Sequence, residues 1–197
     1  GEAILPQAKT VRAVPLTIPY QGLLEVQGEC IMRLSVLEQY NKTAKEPLKN
    51  ARNAAAGALR NLDPAVTAAR RLDAFFYQVG TIENPPYHTQ PGMLEFLRKN
   101  GFPVSPYLGE PKNAEELVAC IRHIEEIRNT LDFLIDGVVI KVGDFALRER
   151  MGFTEKFPRW AVAYKFEAEE SVTTLRKVTW ELGRTGKLTP LAHLEPV

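Results

Sequence analysis

Residues 137–142, Gly-Val-Val-Ile-Lys-Val, read as a short covered strand with a lysine set into it. Lysine is rarely buried unless something pairs with it. Successive side chains on a strand point to opposite faces. Val138, Ile140 and Val142 therefore share an apolar face, and Gly137, Val139 and Lys141 share the other. The same parity recurs at 159–166. There Trp160, Val162, Tyr164 and Phe166 form a large apolar face, and Arg159, Ala161, Ala163 and Lys165 lie opposite. A third strand is expected at 22–33, with Leu24, Val26, Gly28 and Cys30 on one face and Glu25, Gln27 and Glu29 on the other. Each strand is expected to bury its apolar face and to carry a charge on its second face.

Small neighbours leave room beside both lysines. If the three strands lie in adjoining sheets, two ammonium groups and one carboxylate line a single cavity. A ligand with a phosphate and sugar hydroxyls satisfies both kinds of group, the lysines as cationic donors and Glu29 as an acceptor. The competing reading places Lys141 and Lys165 at strand ends, snorkelling to water, with Glu29 solvated.

The rest of the chain reads as mixed α+β. Ser35 and Glu38 have capping-box spacing, which predicts a helix from that point. The alanine-rich stretch 52–62 predicts a helix able to pack close to another backbone, and Asp63-Pro64 opens a further helix. Residues 73–80 predict a strand, 92–101 a helix ended by Gly101, and 113–129 an amphipathic helix opened by Asn113 with Glu116 behind it. Residues 133–142 predict one strand. The last 26 residues predict two strands around Gly183-Arg184-Thr185-Gly186.

A formal net charge of +1 marks no bulk field for nucleic acid, although a local basic groove remains open. Arg52 and Arg60 are eight residues apart on the alanine-rich helix, offset by about 80° and so on one broad side. That suits a phosphate backbone; the alternative is a solvated face with surface ion pairs. Cys30 and Cys120 lie outside any Cys-x-x-Cys, which argues against a zinc site or disulfide framework and fits a reducing cytoplasm. No apolar run approaches the ~20 residues of a membrane span. His88, His123 and His193 stand apart and are assigned no role.

Several stretches together, Leu-Glu-Val-Gln-Gly-Glu at 24–29, 50–64, 135–142, 158–166 and 183–197, resemble the bacterial NAD-dependent DNA ligases in sequence and order. The resemblance implies the later part of a nucleotidyltransferase (ATP-grasp-like ligase) adenylation domain over 1–170, incomplete at its N terminus. The first strands of an OB-fold β-barrel are then expected over 171–197. It implies that Glu29 contacts the adenosine ribose, that Lys141 and Lys165 line the adenylate pocket, and that Arg52, Arg60 and Arg128 engage DNA. The implied reaction seals nicks in duplex DNA, in replication and repair, through enzyme-adenylate and DNA-adenylate intermediates. It uses NAD and Mg or Mn, in a cytoplasmic, monomeric bacterial enzyme whose zinc site lies outside this chain. One departure is Ala51, where the family usually has proline. A larger one is the nucleophile, the lysine of a Lys-x-Asp-Gly motif. None of the 11 lysines has Asp-Gly at that offset, and Asp136-Gly137 is preceded there by Leu134. The chain is therefore expected to be a fragment that does not adenylate itself. The alternatives are a non-catalytic nucleotide- or DNA-binding remnant, or an ATP-dependent ligase or capping-type relative.

Overall fold

A computed structural model describes residues 3–167 and 171–196. The chain divides into two compact units, Gly1–Lys165 and Phe166–Val197. The expected boundary at 170/171 touches residue 170, which lies outside the described residues.

The elements of the first unit are α1 (Leu5–Ala8), β1 (Leu24–Ile31), α2 (Leu34–Asn41), α3 (Ala51–Leu59), α4 (Pro64–Ala69), β2 (Asp73–Ile82), α5 (Gln90–Lys99), α6 (Ala114–Ile127), β3 (Gly137–Lys141), α7 (Phe145–Met151) and β4 (Ala161–Lys165). β1 pairs with β2, and β3 with β4, both antiparallel. The second unit is one antiparallel hairpin, β5 (Leu175–Leu182) and β6 (Leu188–Leu194).

The core forms on one face of β1–β2. Ala51, Ala54, Ala55 and Ala58 bury one side of α3 among Met32, Phe76 and Val79. A methyl side chain is what lets α3 approach β1 closely. Met93, Leu94 and Leu97 close the cluster from α5. Three local start and stop signals act as expected, among them Asn113, which accepts from the Glu116 amide, and Asp63, which accepts from the Ala65 amide. The start of α3 is capped by Asn50, which accepts from the Asn53 amide. Gly101, at φ +81°, follows the end of α5.

Three expectations are corrected. The helix after β1 does not begin at a Ser35–Glu38 capping box. It begins at Leu34, with Arg33 at the cap position making no side-chain cap bond. The free amides are met from 97 residues away instead. The Ser35 amide and hydroxyl donate to the two carboxylate oxygens of Asp132 at 2.8 and 2.6 Å. The Leu34 amide donates to the Asp132 carbonyl at 2.9 Å. The strand expected over 133–142 is shorter and starts at Gly137, because Phe133 turns away to pack on Phe75 with ring centres 5.3 Å apart. The apolar face of β4 is not buried in this chain: Val162 is 59% and Tyr164 45% exposed.

The Ser35 hydrogen bonds hold the Asp132 carboxyl below the usual carboxylate range. Its contribution to stability is therefore present above an unfolded carboxylate pKa of about 4 and is lost as pH falls through the lower folded value. Asp132→Ala should lower stability at pH 7 by about 1 kcal/mol, the usual worth of a helix cap. That corresponds to roughly 2–4 °C in Tm for a chain of this size. The deficit should shrink in thermal melts at pH 3. An equal deficit at both pH values would contradict the cap.

Candidate functional site

The β3–β4 register aligns Gly137 with Lys165, Val139 with Ala163 and Lys141 with Ala161. Paired residues share a face, so both lysines stand on one side of this sheet, four residues apart or about 13 Å along the strands. The first turn of the arrangement depends on Gly137. A Cβ there would lie 2.2 Å from the Tyr164 carbonyl oxygen and 2.9 Å from Lys165 Cα. Only glycine lets β3 come this close to β4 beside Lys165.

β1–β2 supplies the opposing surface. Ala74 and Phe76 point into the core. Phe75 lies on the other face, directly opposite Glu29. Gln27 pairs with Gln78 and Gly28 with Phe76, so Tyr77 is an extra residue on β2. This bulge leaves the Tyr77 ring 47% exposed. Lys141 reaches across to it. The ammonium sits 5.4 Å from the Tyr77 ring centre and 3.4 Å from Gln78 Oε1. Burial first, and the charge of Arg148 second, pull the Lys141 pKa below the ordinary lysine value. Lys141 is thus not a solvated strand-end residue.

Lys165 is. Its side chain is 79% exposed and sits 3.8 Å from Asp136 Oδ2. The same oxygen lies 3.8 Å from Arg52 Nη1. The arginine side of α3 therefore adjoins the Lys165 end of the lysine face. Arg60, the C-cap of α3, is exposed, and Arg128 is half-buried in the 3-10 turn Arg128–Thr130. Glu29 is exposed and makes no ion pair with either lysine among the described residues. The structure thus brings Lys141, Lys165 and Arg52 around one region, with Glu29 on the facing sheet and Arg128 on a separate turn.

Sequence reasoning missed Tyr77, Gln78 and Asp136. Tyr77 is aimed by a bulge that leaves no local mark. Asp136 is the aspartate of the one Asp-Gly of the chain, which was a visible signal. Two cavities of about 300 Å³ lie beside these elements, the first also touching Gln78. One is mainly apolar, between Met93, Phe145, Arg148 and Trp160. The other is beside α3, lined by Lys49, Asn53, Gly57 and Arg70. Neither contains a site lysine, and the open lysine face fits charged-group chemistry better than the apolar cavity does. Among the described residues no cluster of three or more His, Cys, Asp or Glu could hold a metal ion. No helix among them is long and apolar enough to cross a membrane.

Comparison with known proteins gives the same address. A family profile described as the NAD-dependent DNA ligase adenylation domain matches residues 1–169. A protein named DNA ligase from Alkaliphilus metalliredigens (strain QYMF) is 56% identical over all 197 residues, which cover 30% of its length. Proteins of the same name from Alkaliphilus oremlandii (strain OhILAs) and Finegoldia magna are 57% and 55% identical, again over the whole chain and 30% of theirs. This chain spans about 30% of the length of these curated relatives. The profile covers both lysine strands and the arginine helix, and with the identity along the whole sequence it establishes that the chain belongs to the NAD-dependent DNA ligase adenylation domain family.

Proposed function

We propose that this chain is the adenylate-binding and nick-facing part of an NAD-dependent DNA ligase that seals nicks during replication and repair. The observation that carries the reading is the lysine face of β3–β4 set against the aromatic and carboxylate face of β1–β2. These residues fit an adenylate. Tyr77 offers an exposed ring for the base, and stacking of a base on an aromatic side chain contributes about 1–3 kcal/mol. Glu29 accepts from ribose hydroxyls. Lys141 and Lys165 donate to the phosphate.

NAD supplies the adenylate group. The covalent nucleophile is assigned to a Lys-x-Asp-Gly segment outside this chain, because no lysine here has that setting. Within the chain, Lys141 and Lys165 hold the phosphate and offset charge developing on its oxygens. The base, once stacked on Tyr77, displaces the Lys141 ammonium from the ring toward the phosphate. Asp136 holds Lys165 and Arg52 apart from solvent anions until a phosphate takes its place. Magnesium or manganese fits no protein-only cage among the described residues. Mg²⁺ commonly keeps several waters and binds through one or two carboxylates plus substrate phosphates.

Arg52, Arg60 and Arg128 are assigned to DNA. The β5–β6 hairpin is assigned to the start of an OB fold. Val178, Trp180, Leu182 and Leu188 are all exposed apolar residues on it. A lone hairpin is marginal in water, so these side chains call for further strands. A monomeric cytoplasmic enzyme is the expected setting, in keeping with the free thiols of Cys30 and Cys120.

Calorimetric titration with AMP tests the cleft. The chain should bind AMP, and Lys141→Met should weaken binding about tenfold, the worth of one charge-assisted hydrogen bond. The depressed Lys141 pKa means that the folded state holds this proton less tightly than the unfolded state. At neutral pH the charged lysine therefore costs stability, and the same variant should raise Tm on the order of a degree or two. AMP affinity should fall as pH rises through the lowered lysine pKa. Unchanged affinity in Lys141→Met would remove the assignment and favour a remnant that binds nucleotides elsewhere or not at all.

Binding of a nicked duplex tests the arginines. Each of Arg52→Ala and Arg60→Ala should flatten the slope of log affinity against log salt by about 0.9, with AMP affinity held within about twofold of the parent. A slope equal to the parent's would show that neither arginine meets a phosphate.

A further inference from the structure

Arg148 is a cation exposed to only 6%, and nothing assigned above uses it. It lies on α7, the helix that follows the Lys141 strand. Its Nε donates to the Val142 carbonyl at 2.6 Å, one residue beyond Lys141. Its Nη2 donates to Gln90 Oε1 at 2.8 Å. The guanidinium is sandwiched between two rings, 4.5 Å from the centre of Phe145 and 4.3 Å from that of Trp160.

Gln90, the first residue of α5, continues the connection in two more directions. Its amide nitrogen Nε2 donates to the Tyr77 carbonyl at 3.4 Å, and its backbone N–H donates to the Gly143 carbonyl at 2.8 Å. A β-bridge between Thr89 and Asp144 and a hydrogen bond from the Phe145 amide to the His88 carbonyl close the same seam. One guanidinium and one carboxamide therefore join the backbone just after Lys141 to the backbone of Tyr77. Lys141 and Tyr77 are the pair whose side chains meet across the cleft at 5.4 Å.

Burying an arginine is costly unless its donors are used. An apolar side chain would fill the gap between Phe145 and Trp160 equally well. What it could not do is bridge two strands that belong to different sheets. The planar fork does so while its faces rest on the rings.

We propose that Arg148 and Gln90 are positioning residues, which fix the spacing between the Lys141 strand and the Tyr77 platform so that ammonium and ring meet one adenylate together. The proposal rests on the reading of Lys141 and Tyr77 as adenylate contacts. Beyond the clamp, the Arg148 charge faces Lys141, with Tyr77 and Gln78 as the other groups beside that ammonium. An arriving phosphate relieves the repulsion between the two cations.

Two measurements on the 197-residue chain test it. The first needs no ligand. In the parent, NMR should show cross-relaxation between the Lys141 side-chain methylenes and the Tyr77 ring. In Arg148→Gln, and in the milder Gln90→Ala, that signal should weaken by half or more while the chain still melts in one transition. Retention of the full signal in both folded variants would overturn the clamp. The second is a double-mutant cycle with AMP. Arg148→Gln should weaken AMP roughly three- to tenfold in the parent and less than twofold in a Lys141→Ala background, the non-additivity expected of groups that act through each other. Equal losses in both backgrounds would make Arg148 merely structural and overturn the proposal. If Lys141→Ala leaves AMP affinity unchanged, the adenylate reading fails by itself, and the cross-relaxation result still decides the clamp.

Discussion

The close approach of β3 to β4 at Gly137 is the constraint on which the site depends. The Tyr164 carbonyl occupies the space a side chain would need. That contact sets the register, and the register puts Lys141 and Lys165 on one face. A slip of one residue would put the two lysines on opposite faces of the sheet. It would also move Asp136, the residue before the glycine, away from Lys165 and Arg52. The lysine face and the aspartate beside it are therefore positioned together by this close approach, while α3 brings Arg52 to the same aspartate from its packing on β1.

The site shows how a fold sets two lysines of similar sequence surroundings to different states. Lys141 is half-buried, with an aromatic ring and a carboxamide as neighbours and a second cation nearby. Lys165 is largely in water beside a shared carboxylate. A partly buried ammonium whose neighbours are a neutral ring and a carboxamide has no opposite charge beside it, which is the basis for proposing that an anion binds there. The exposed ion pairs of Asp136 with Arg52 and Lys165 are weak by comparison, as surface pairs generally are.

Much of this was legible in the sequence, and the parts that were share a cause. Helix starts at Asn113 and Asp63 and the end of α5 at Gly101 depend on residues within four positions of one another. The parity of the lysine strands depends only on alternation. What was not legible depends on residues far apart in the chain. The cap of α2 comes from Asp132, and the capping-box spacing of Ser35 and Glu38 pointed to the wrong acceptor. Tyr77 faces the cleft because of a bulge set by its pairing with β1. Arg148 reads as one more polar residue on a short helix, yet it is buried by two aromatic residues on either side of it in sequence. Several apolar residues of β4 and of the β5–β6 hairpin, Val162, Trp180 and Leu182 among them, are exposed in the structure, which alternation alone does not predict.

The central claim is that the lysine face of β3–β4 and the outer face of β1–β2 together bind one adenylate. A crystal structure of the chain with AMP tests it most directly. The account predicts the adenine ring stacked on Tyr77, the ribose hydroxyls at Glu29, and the phosphate within hydrogen-bond distance of Lys141 and Lys165. AMP lodged in the apolar cavity between Met93, Phe145 and Trp160, with Tyr77 and both lysines untouched, would contradict it.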